Sequence, residues 1–465
     1  MKAICFLLTA FTLAAAAPSR PNILFILADD LGYGDLASYG SKVAKTPRLD
    51  QLASEGTRFT QFYVSHCVCS PTRASAITGH FPGRHRIYGH IAFFTYNQRR
   101  GMPDWLDVKA PSLPRALQAA GYRTAMFGKW HLGGGSGRQF QAKDLKTPDR
   151  LPSLEGRKIV INHPDAPAVT RYGFDHARTS YGNSPTWRHA EPWPEPHEIY
   201  PYADPEWNSW SSRAIADETI AFLREQKSDQ PFYANVWLKD VHVPLRPPEG
   251  TREPFGRLAF KPRDHYASIY YMDQQIGRIL DALKDLKLAD NTIVLFSSDN
   301  GAGRGRGGSN GSLRGWKHEL YEGGIRVPLI VRWPGRVPVG RVDESSILNI
   351  VDFTPTFTRL AGAKMPDGYK PDGEDIRSAL LGKGFKRSMP QYWHYPSTRK
   401  ALALRSGNWK LLTDLKGGAP ELYDLASDPS ETTNLAADQP HLTGTLQDSL
   451  RRWYAELPIA ASSKD

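Results

Sequence analysis

The segment at residues 66–79, HCVCSPTRASAITG, combines a cysteine with residues that start and end a helix. Ser70 can cap a helix, and Pro71 suits the first helical position because no hydrogen bond is needed from its nitrogen there. Gly79 can adopt the left-handed conformation that closes a helix. The spacing therefore predicts a short helix over Thr72 to Thr78, with a cysteine just before it.

The position of Cys69 before this helix favours chemistry at its sulfur atom. Free backbone N–H groups and the helix dipole attract negative charge at a helix N-terminus, and Arg73 adds a cation one turn further on. A thiolate is stabilised in such surroundings and is a nucleophile. The alternative is a buried, unreactive cysteine beside a surface helix, which is the commoner role of a single cysteine.

Oxygen-bearing side chains follow two continuous apolar runs, ILFIL at residues 23–27 and TIVLF at residues 292–296. Each run predicts a strand buried on both faces, and therefore a strand of a parallel sheet. The side chains that follow them are Asp29 and Asp30 after the first run, and Asp299 and Asn300 after the second. Donors that are all oxygen suit a hard cation such as Ca²⁺ or Mg²⁺ better than zinc. For the first pair taken alone, a polar turn remains an alternative.

Basic side chains follow two further predicted strands. The strand at residues 123–127 leads into GKWHLG, with Lys129 and His131, and the strand at residues 232–238 leads to His242. In an extended chain, a lysine and a histidine two residues apart share one face. Since the carboxyl ends of parallel strands meet at one sheet edge, all these groups are expected to line one site. A glycine-rich stretch at residues 301–315 lacks the pattern of a nucleotide-binding loop and is interpreted as a loop that carries Arg314 and Lys317 toward that site.

The rest of the pattern predicts a large α/β domain followed by a small one. From about residue 388, short strands alternate with turns and precede a helix over residues 441–457, which indicates an antiparallel sheet with one helix. Residues 139–208 are rich in Pro, Gly, Trp and His without periodicity, and predict long loops of the kind that build substrate pockets. With His90, Tyr96 and Arg99, these loops are expected to wall a pocket over Cys69.

Composition bounds the class of protein. The chain has 465 residues, 40% hydrophobic content and a formal net charge of +11, which fits a globular protein with an anionic partner. Residues 1–17 resemble a secretory signal, so the mature chain is expected to be soluble and periplasmic or secreted, without a membrane span. Of the three cysteines, only Cys67 and Cys69 would remain after removal of the signal, which excludes a disulfide framework.

The spelling C-S-P-T-R, followed after four residues by T-G, resembles the signature C-x-P-S-R-xxxx-T-G of the formylglycine-dependent sulfatases. In that family a formylglycine-generating enzyme converts the cysteine to formylglycine, whose hydrated aldehyde attacks sulfate esters. The resemblance implies that Cys69 is this residue, and that Pro71 and Arg73 form the core that the modifying enzyme recognises. Thr72 stands where the family usually has Ser.

The resemblance also implies roles for the groups at the strand ends, a fold and domain bounds. A calcium ion, with Mg²⁺ as the alternative, would be held by Asp29, Asp30, Asp299, Asn300 and the modified Cys69. Sulfate binding and proton transfer would fall to Lys129, His131, His242, Lys317 and Arg73, with His242 protonating the leaving sugar oxygen. The implied fold is an alkaline-phosphatase-like sandwich with a central, mostly parallel sheet. Its catalytic domain would span residues 18–387, and a C-terminal α+β subdomain with an antiparallel sheet would span residues 388–465.

The expected substrate is a sulfate ester on a carbohydrate. The stretch YGSKVAKTPRLDQLASEG at residues 39–56 is similar to bacterial relatives of N-acetylgalactosamine-6-sulfatase, which favours 6-sulfated galactose or N-acetylgalactosamine units. No nucleic-acid partner is expected. Two alternatives remain: a phosphatase or phosphodiesterase on the same fold, which usually needs a Ser or Thr nucleophile and more His and Asp ligands, and a non-catalytic glycan-binding protein that uses the basic surface.

Overall fold

The computed structural model describes residues 20–92, 94–133, 139–141, 158–160, 166–180, 188–189, 205–227 and 229–458. The predicted secretory signal at residues 1–17 lies outside this part of the chain. So does most of the 139–208 region that we expect to form substrate loops. Among the residues described, none of the helices is long and apolar enough to cross a lipid bilayer.

Strands and α-helices are numbered in chain order. The strands are β1 (Asn22–Ala28), β2 (Thr57–Tyr63), β3 (Arg123–Lys129), β4 (Gln139–Gln141), β5 (Lys158–Val160), β6 (His176–Ser180), β7 (Arg188–His189), β8 (Phe232–Trp237), β9 (Thr292–Ser298), β10 (Arg326–Arg332), β11 (Arg341–Asp343), β12 (Leu348–Asn349), β13 (Gln391–His394), β14 (Leu402–Ser406), β15 (Trp409–Thr413) and β16 (Glu421–Asp424). The helices are α1 (Pro47–Ser54), α2 (Cys69–Thr78), α3 (Phe94–Arg99), α4 (Leu113–Ala119), α5 (Pro205–Arg224), α6 (Phe260–Asp285), α7 (Glu322–Ile325), α8 (Phe353–Ala361), α9 (Arg377–Leu380) and α10 (Pro440–Ala455). Short 3₁₀ turns connect several of these elements.

The central sheet has β1 near its middle. Its strand order is β11-β2-β10-β9-β1-β8-β3-β6-β7, with β12 also paired to β2. β1 is parallel to both β8 and β9, and β3 is parallel to both β6 and β8. β10 runs antiparallel to β9 and β2, and β7 runs antiparallel to β6. The predicted α/β domain with a mostly parallel central sheet is confirmed.

Helices cover both faces of this sheet, which explains why its central strands are continuous apolar runs. Successive side chains of β1 enter opposite cores: Ile23, Phe25 and Leu27 lie in one, and Leu24 and Ile26 in the other. The first core also contains residues of α2, α4 and α8, which contact one another. The second contains residues of α1, α5 and α6. The domain is therefore a three-layer sandwich, with the carboxyl ends of its parallel strands at one edge.

A second sheet, in the order β13-β14-β15-β16, is antiparallel throughout and confirms the small antiparallel sheet predicted near the C-terminus. On one face, Leu404 and Leu411 pack with Leu450 and Trp453 of α10. Trp393 and Tyr423 belong instead to a cluster with Tyr63, Cys67 and Cys69 of the large domain. The small sheet thus lies directly behind the segment that carries Cys69.

The local start of α2 differs from the prediction. The helix already begins at Cys69, and Val68 occupies the capping position without a side-chain hydrogen bond. Ser70 is not the cap, because its hydroxyl accepts a hydrogen bond of 3.0 Å from the backbone nitrogen of Ile91. A contact distant in sequence therefore overrides the local capping preference. The predicted end is correct: Gly79 has φ +68° and its N–H donates to the carbonyl of Ser75.

α6 begins at Phe260 and includes Pro262 in its first turn, where a helix tolerates proline. β13 consists of QYWH, a run too short to show a strand period in the sequence.

Candidate active site

Cys69 is buried at the first turn of α2, with only 2% of its surface exposed. Its Sγ lies 3.6 Å from Oδ1 of Asp29 and 3.5 Å from Nζ of Lys317. Burial raises the pKa of the Cys69 thiol to about 12, even though Lys129 and Lys317 oppose this shift. Burial of the thiol therefore opposes a thiolate at this position more strongly than the neighbouring lysines favour one.

The two acidic pairs meet because their strands are neighbours in register. Ala28 is paired with Ser298, so the residues that follow β1 and β9 leave the sheet side by side. The backbone nitrogen of Asp30 donates to Oδ1 of Asp299 at 3.2 Å, and Nδ2 of Asn300 donates to Oδ1 of Asp30 at 2.7 Å. The structure thus brings together the four oxygen-bearing residues that the sequence analysis grouped.

Three buried cations face these carboxylates. Nε and Nη2 of Arg73 both donate to Oδ2 of Asp299, at 3.0 and 2.6 Å. Lys129, the last residue of β3, donates to Asp29. Nζ of Lys317 lies 2.5 Å from Oδ1 of Asp30. Because each charge has an opposite partner within the same buried cluster, the site can hold several ionised groups away from water.

The pKa values of the carboxyl groups separate according to these partners. Burial opposes ionisation of Asp29, but Lys129, His242 and Arg73 together hold its pKa well below the usual range. Burial and the neighbouring charge of Asp29 raise the pKa of Asp299 to about 6, against the effect of Arg73. Of these two carboxyl groups, Asp299 is therefore the one that binds a proton more readily.

His242 lies beside the acidic pair that follows β1. Its Nδ1 donates to the carbonyl of Val243 at 2.6 Å, and its Nε2 is 3.7 Å from Oδ2 of Asp30. Since the carbonyl can only accept, Nδ1 carries the proton of the neutral ring and Nε2 presents a lone pair to the site. Burial, with Lys317 nearby, lowers the pKa of His242 to about 3.

His131 enters the site by a different route from the one predicted. The chain does not stay extended after β3, because His131 has φ +54°. The alternation of side chains in an extended chain therefore does not determine which way the His131 side chain points. Its Nε2 hydrogen-bonds to the carbonyl of Ile91 at 3.1 Å. Burial, with Lys129 and Arg73, lowers the pKa of His131 well below its usual value. His90 stacks obliquely near it, with ring centroids 6.4 Å apart, and Tyr96 lies beyond His90.

The donor set fits a hard divalent cation. Ligand atoms of Asp29, Asp30, Cys69 and His242 all lie within 4.8 Å of one another. In the described part of the chain, Oδ1 of the buried Asn300 has no hydrogen-bond partner, although its Nδ2 is bonded. A buried amide oxygen without a donor is costly unless another positive group approaches it. His242 belongs to this cluster by distance, whereas the sequence analysis gave it only a proton-transfer role.

Two residues that the sequence analysis missed hold the site loops together. The carboxylate of the buried Asp35 accepts from the backbone nitrogens of Gly32 and Ser309, at 2.9 and 2.8 Å. Nε2 of His265 on α6 lies 3.0 Å from the same carboxylate. The loop after β1 is thereby fastened to the glycine-rich loop that leads to Lys317. No local pattern marks this pair, because its members are 230 positions apart.

The small sheet also contacts the loop that carries Lys317. The backbone nitrogen of His318 donates to the carbonyl of Cys67 at 3.0 Å, and its Nδ1 is 2.9 Å from the hydroxyl of Tyr395. Nη1 of Arg314 donates to the hydroxyl of Tyr423 at 2.8 Å. Arg314 therefore does not reach the site, contrary to the sequence interpretation, while Lys317 does.

Comparison with known proteins identifies the family. Residues 21–363 match the family described as Sulfatase, and residues 314–456 match the one described as N-sulphoglucosamine sulphohydrolase, C-terminal. Arylsulfatase A of Homo sapiens is 33% identical over 462 residues, covering 92% of this chain and 86% of that protein. The N-acetylgalactosamine-6-O-sulfatase of Bacteroides thetaiotaomicron is 29% identical over 499 residues, covering 93% of this chain and 92% of that protein.

A solved structure has the same architecture. The crystal structure of Ps i-CgsB in complex with k-i-k-neocarrahexaose superposes with a TM-score of 0.78 at 25% identity, covering 95% of this chain and 94% of that chain. The sulfatase match extends from β1 through α8 and so includes every residue of the site described above. With a match of this extent and a relative that is 33% identical across nearly the whole chain, this chain belongs to the sulfatase family and is a sulfuric ester hydrolase.

Proposed function

We propose that this sulfatase hydrolyses sulfate esters on a carbohydrate, with Cys69 converted to formylglycine and with one bound Ca²⁺. The observation that carries the proposal is the position of Cys69, whose Sγ lies within 3.6 Å of a carboxylate of the oxygen-rich cluster and 3.5 Å of Lys317. A group at this position faces both a cation site and a side chain that can bind sulfate. The proposal includes a formylglycine-generating enzyme as the partner during maturation.

The cation would be held by Asp29, Asp30, Asp299 and Asn300, together with the modified residue 69. When bound, Ca²⁺ would polarise the sulfate oxygens and lower the pKa of the attacking hydroxyl. Oxygen donors favour Ca²⁺ or Mg²⁺, and the number of carboxylates favours Ca²⁺. The unbonded amide oxygen of Asn300 supports its place among the ligands.

Formylglycine would supply the nucleophile, since one hydroxyl of the hydrated aldehyde can attack sulfur. Asp299 would accept the proton of that hydroxyl, a role that its raised pKa supports. Lys129 and Lys317 would bind the sulfate oxygens on which charge grows, a contribution that needs no reorganisation during the reaction. Arg73 would contribute positive charge and hold Asp299 in place through its two hydrogen bonds.

The histidines would move the remaining protons. His242 would donate a proton to the sugar oxygen as the S–O bond breaks, and His131 would accept a proton from the second hydroxyl so that sulfate leaves and the aldehyde returns. Both rings are buried near the acidic cluster. The anionic sulfate ester beside His242 would favour its protonated form, which burial alone disfavours.

The carbohydrate substrate is supported by the relatives. The Bacteroides relative is named for N-acetylgalactosamine 6-O-sulfate, and Ps i-CgsB was crystallised with an oligosaccharide. We favour 6-sulfated galactose or N-acetylgalactosamine units. The signal at residues 1–17 supports export to the periplasm or outside the cell. We also propose the division into a catalytic domain at residues 18–387 and a C-terminal subdomain at residues 388–465.

Two measurements test the proposal. Mass spectrometry of the Cys69 peptide, from protein made with a modifying enzyme, is expected to show the aldehyde mass. Sulfate release is then measured on sulfated mono- and oligosaccharides and on an aryl sulfate, with C69A as the inactive control. Active protein with an unmodified thiol would contradict the formylglycine proposal. Turnover of aryl sulfates alone would contradict the carbohydrate proposal.

A further inference from the structure

A cavity of about 350 Å³ opens beside His242, a volume in the range of small-ligand sites. Three segments form it: residues 243–246 after β8, the start of α6, and Arg306 in the glycine-rich loop. Its wall begins at Val243, whose carbonyl accepts the hydrogen bond from His242. The cavity therefore adjoins the side of the site where, in the proposed mechanism, the sugar oxygen leaves.

The charges around this cavity are predominantly positive. Arg246, Lys261 and Arg306 line it with exposed side chains, and within the described part of the chain none of them forms an ion pair with a carboxylate. The acidic lining residue, Asp264, is buried, and its Oδ1 is bound by Arg252 at 2.8 Å and by the adjacent Arg263 at 3.3 Å. The cavity thus has an excess of positive charge that the protein itself does not neutralise.

Two of these cations are held close together by the backbone. Gly307 has φ +107°, and a Cβ atom there would lie 2.5 Å from the carbonyl oxygen of Lys261. The glycine-rich loop therefore packs directly on the start of α6, so the backbones that carry Arg306 and Lys261 lie next to each other at the cavity. The same loop follows Asn300 and precedes Lys317, so both of its ends adjoin the acidic and basic cluster of the site.

An exposed aromatic ring completes the cavity. Phe260 is 64% exposed, although it is the first residue of a 26-residue helix whose later apolar residues are buried. Aromatic faces beside cationic groups are typical of sites for charged sugars, since the C–H face of a pyranose packs on the ring while its anionic substituent binds the cations. The guanidinium of Arg263 lies 5.4 Å from the centroid of the Phe260 ring, and most of the ring is nevertheless open to solvent.

We propose that this cavity binds an anionic oxyacid group, sulfate or carboxylate, on the sugar next to the one whose sulfate is removed. The inference rests on the proposed carbohydrate function and adds that the substrate is a unit of a polyanionic glycan. The sugar that bears the reacting sulfate lies at His242, and its neighbour extends over Val243 to Phe260. Lys261, Arg306 and Arg246 bind the neighbour's anionic group.

The test measures binding in a chain that cannot turn over its ligand. In a C69A background, a chondroitin 6-sulfate tetrasaccharide and its carboxyl-reduced form are titrated by calorimetry against C69A and C69A/K261Q/R306Q. Exposed charge pairs contribute modestly, so we expect roughly threefold weaker binding per removed charge and roughly tenfold for the pair. A matched control, C69A/R359Q/K364Q, removes an exposed Arg and an exposed Lys outside the cavity and keeps the same net charge.

The two ligands distinguish the source of the anionic group. In this ligand the sugar next to the sulfated unit carries a carboxylate and no sulfate, so weakening only for the unreduced form assigns the group to that carboxylate. Equal weakening for both forms places a sulfate of a more distant unit in the cavity and overturns the assignment to the adjacent sugar. Affinities within twofold of C69A for both ligands, or equal weakening in the R359Q/K364Q control, overturn the proposal. If wild-type protein releases no sulfate from these glycans while K261Q/R306Q still weakens binding, the carbohydrate function fails and the cavity assignment stands. The melting temperature of K261Q/R306Q, compared with that of the wild-type protein, checks that the variant is folded.

Discussion

Lys410 connects the small sheet to the large domain through a buried charge cluster. It lies on β15, and its Nζ is 2.9 Å from Oε1 of Glu322 and 2.9 Å from Oε1 of Glu431. All the side chains in these two ion pairs are fully buried. Glu322 also accepts a hydrogen bond of 2.5 Å from the hydroxyl of Tyr63 on β2. Replacing Lys410 by Met keeps most of the volume and removes the charge that both carboxylates share.

We expect K410M to destabilise the protein by about 3–5 kcal/mol, the usual cost of removing one member of a buried ion pair. The loss is electrostatic rather than steric, because Met fills the space of the lysine stem and volume-conserving changes cost less. The pKa values of Glu322 and Glu431 show how the positive charge of Lys410 acts on each carboxyl group. Burial opposes ionisation of Glu322, yet Lys410, Arg326 and Arg405 hold its pKa at about 2. Burial raises the pKa of Glu431 to about 7 despite Lys410.

The cost of K410M should depend on pH. Without Lys410, burial moves the pKa of Glu322 upward, and the pKa of Glu431 rises further. A carboxyl group whose folded pKa exceeds its unfolded value binds more protons in the folded state, so its contribution to stability falls as pH rises above the unfolded value of about 4.3. The destabilisation is therefore expected to be larger at pH 8 than at pH 5.

Urea unfolding followed by tryptophan fluorescence at both pH values measures this effect. K416M is the matched control, since Lys416 is an exposed lysine in the turn after β15 and its replacement should change stability by less than about 0.5 kcal/mol. K410M/E322Q/E431Q removes the unpaired charges and should recover part of the loss. A K410M cost below about 1 kcal/mol, or one without pH dependence, would refute the electrostatic reasoning.

Three further outcomes are expected. Burial lowers the pKa of His66 to about 3, so the stability that its neutral form provides is complete above pH 6.5 and is lost as the pH falls. In urea titrations, H66Q should therefore reduce the loss of stability between pH 7.5 and pH 5.5 by about 1.4 kcal/mol. H441Q, which replaces an exposed histidine, should not reduce this loss. Removal of bound metal with EGTA should abolish sulfate release and lower the melting temperature, with recovery on addition of Ca²⁺; activity that persists in metal-free protein would count against the Ca²⁺ proposal. R73Q should lower the rate of sulfate release at least about 100-fold, since Asp299 loses the two hydrogen bonds that the guanidinium donates. R73K should recover only part of the rate, because lysine cannot donate two hydrogen bonds from fixed positions. A wild-type rate in R73Q would exclude a role of Arg73 in the reaction.

The sequence predicts the parts of the fold in which apolar residues follow a clear pattern. The apolar runs of β1 and β9 are long enough to identify strands covered on both faces, and the strand ends then follow from the rule that parallel strands share one carboxyl edge. That rule places Asp29 and Asp299 at the same edge of the sheet, and the pairing of β1 with β9 then brings them together. The register between β1 and β9 is a tertiary fact that no local pattern contains, and it decides which oxygens touch.

The parts that the sequence misses depend on contacts distant along the chain. Ser70 has a strong local preference for capping, but the backbone nitrogen of Ile91 uses its hydroxyl instead. Asp35 and His265 appear as ordinary polar residues until the fold places them between two loops. Lys410 has an unremarkable position in the sequence, although it lies fully buried between two carboxylates. In each case the contact joins two residues that are more than 20 positions apart in the sequence.

The surroundings of Cys69 show why a buried site can still carry out nucleophilic chemistry. The helix N-terminus and two lysines favour an anion there, but burial raises the pKa of the thiol to about 12, so desolvation is the larger effect. A thiolate would bear this penalty in the ground state. A hydrated aldehyde is neutral and bears none. In the proposed mechanism it would develop charge only during attack, when Lys317 and the cation would oppose that charge and Asp299 would accept the proton. The burial that disables the cysteine as a nucleophile therefore favours the modified residue that we propose.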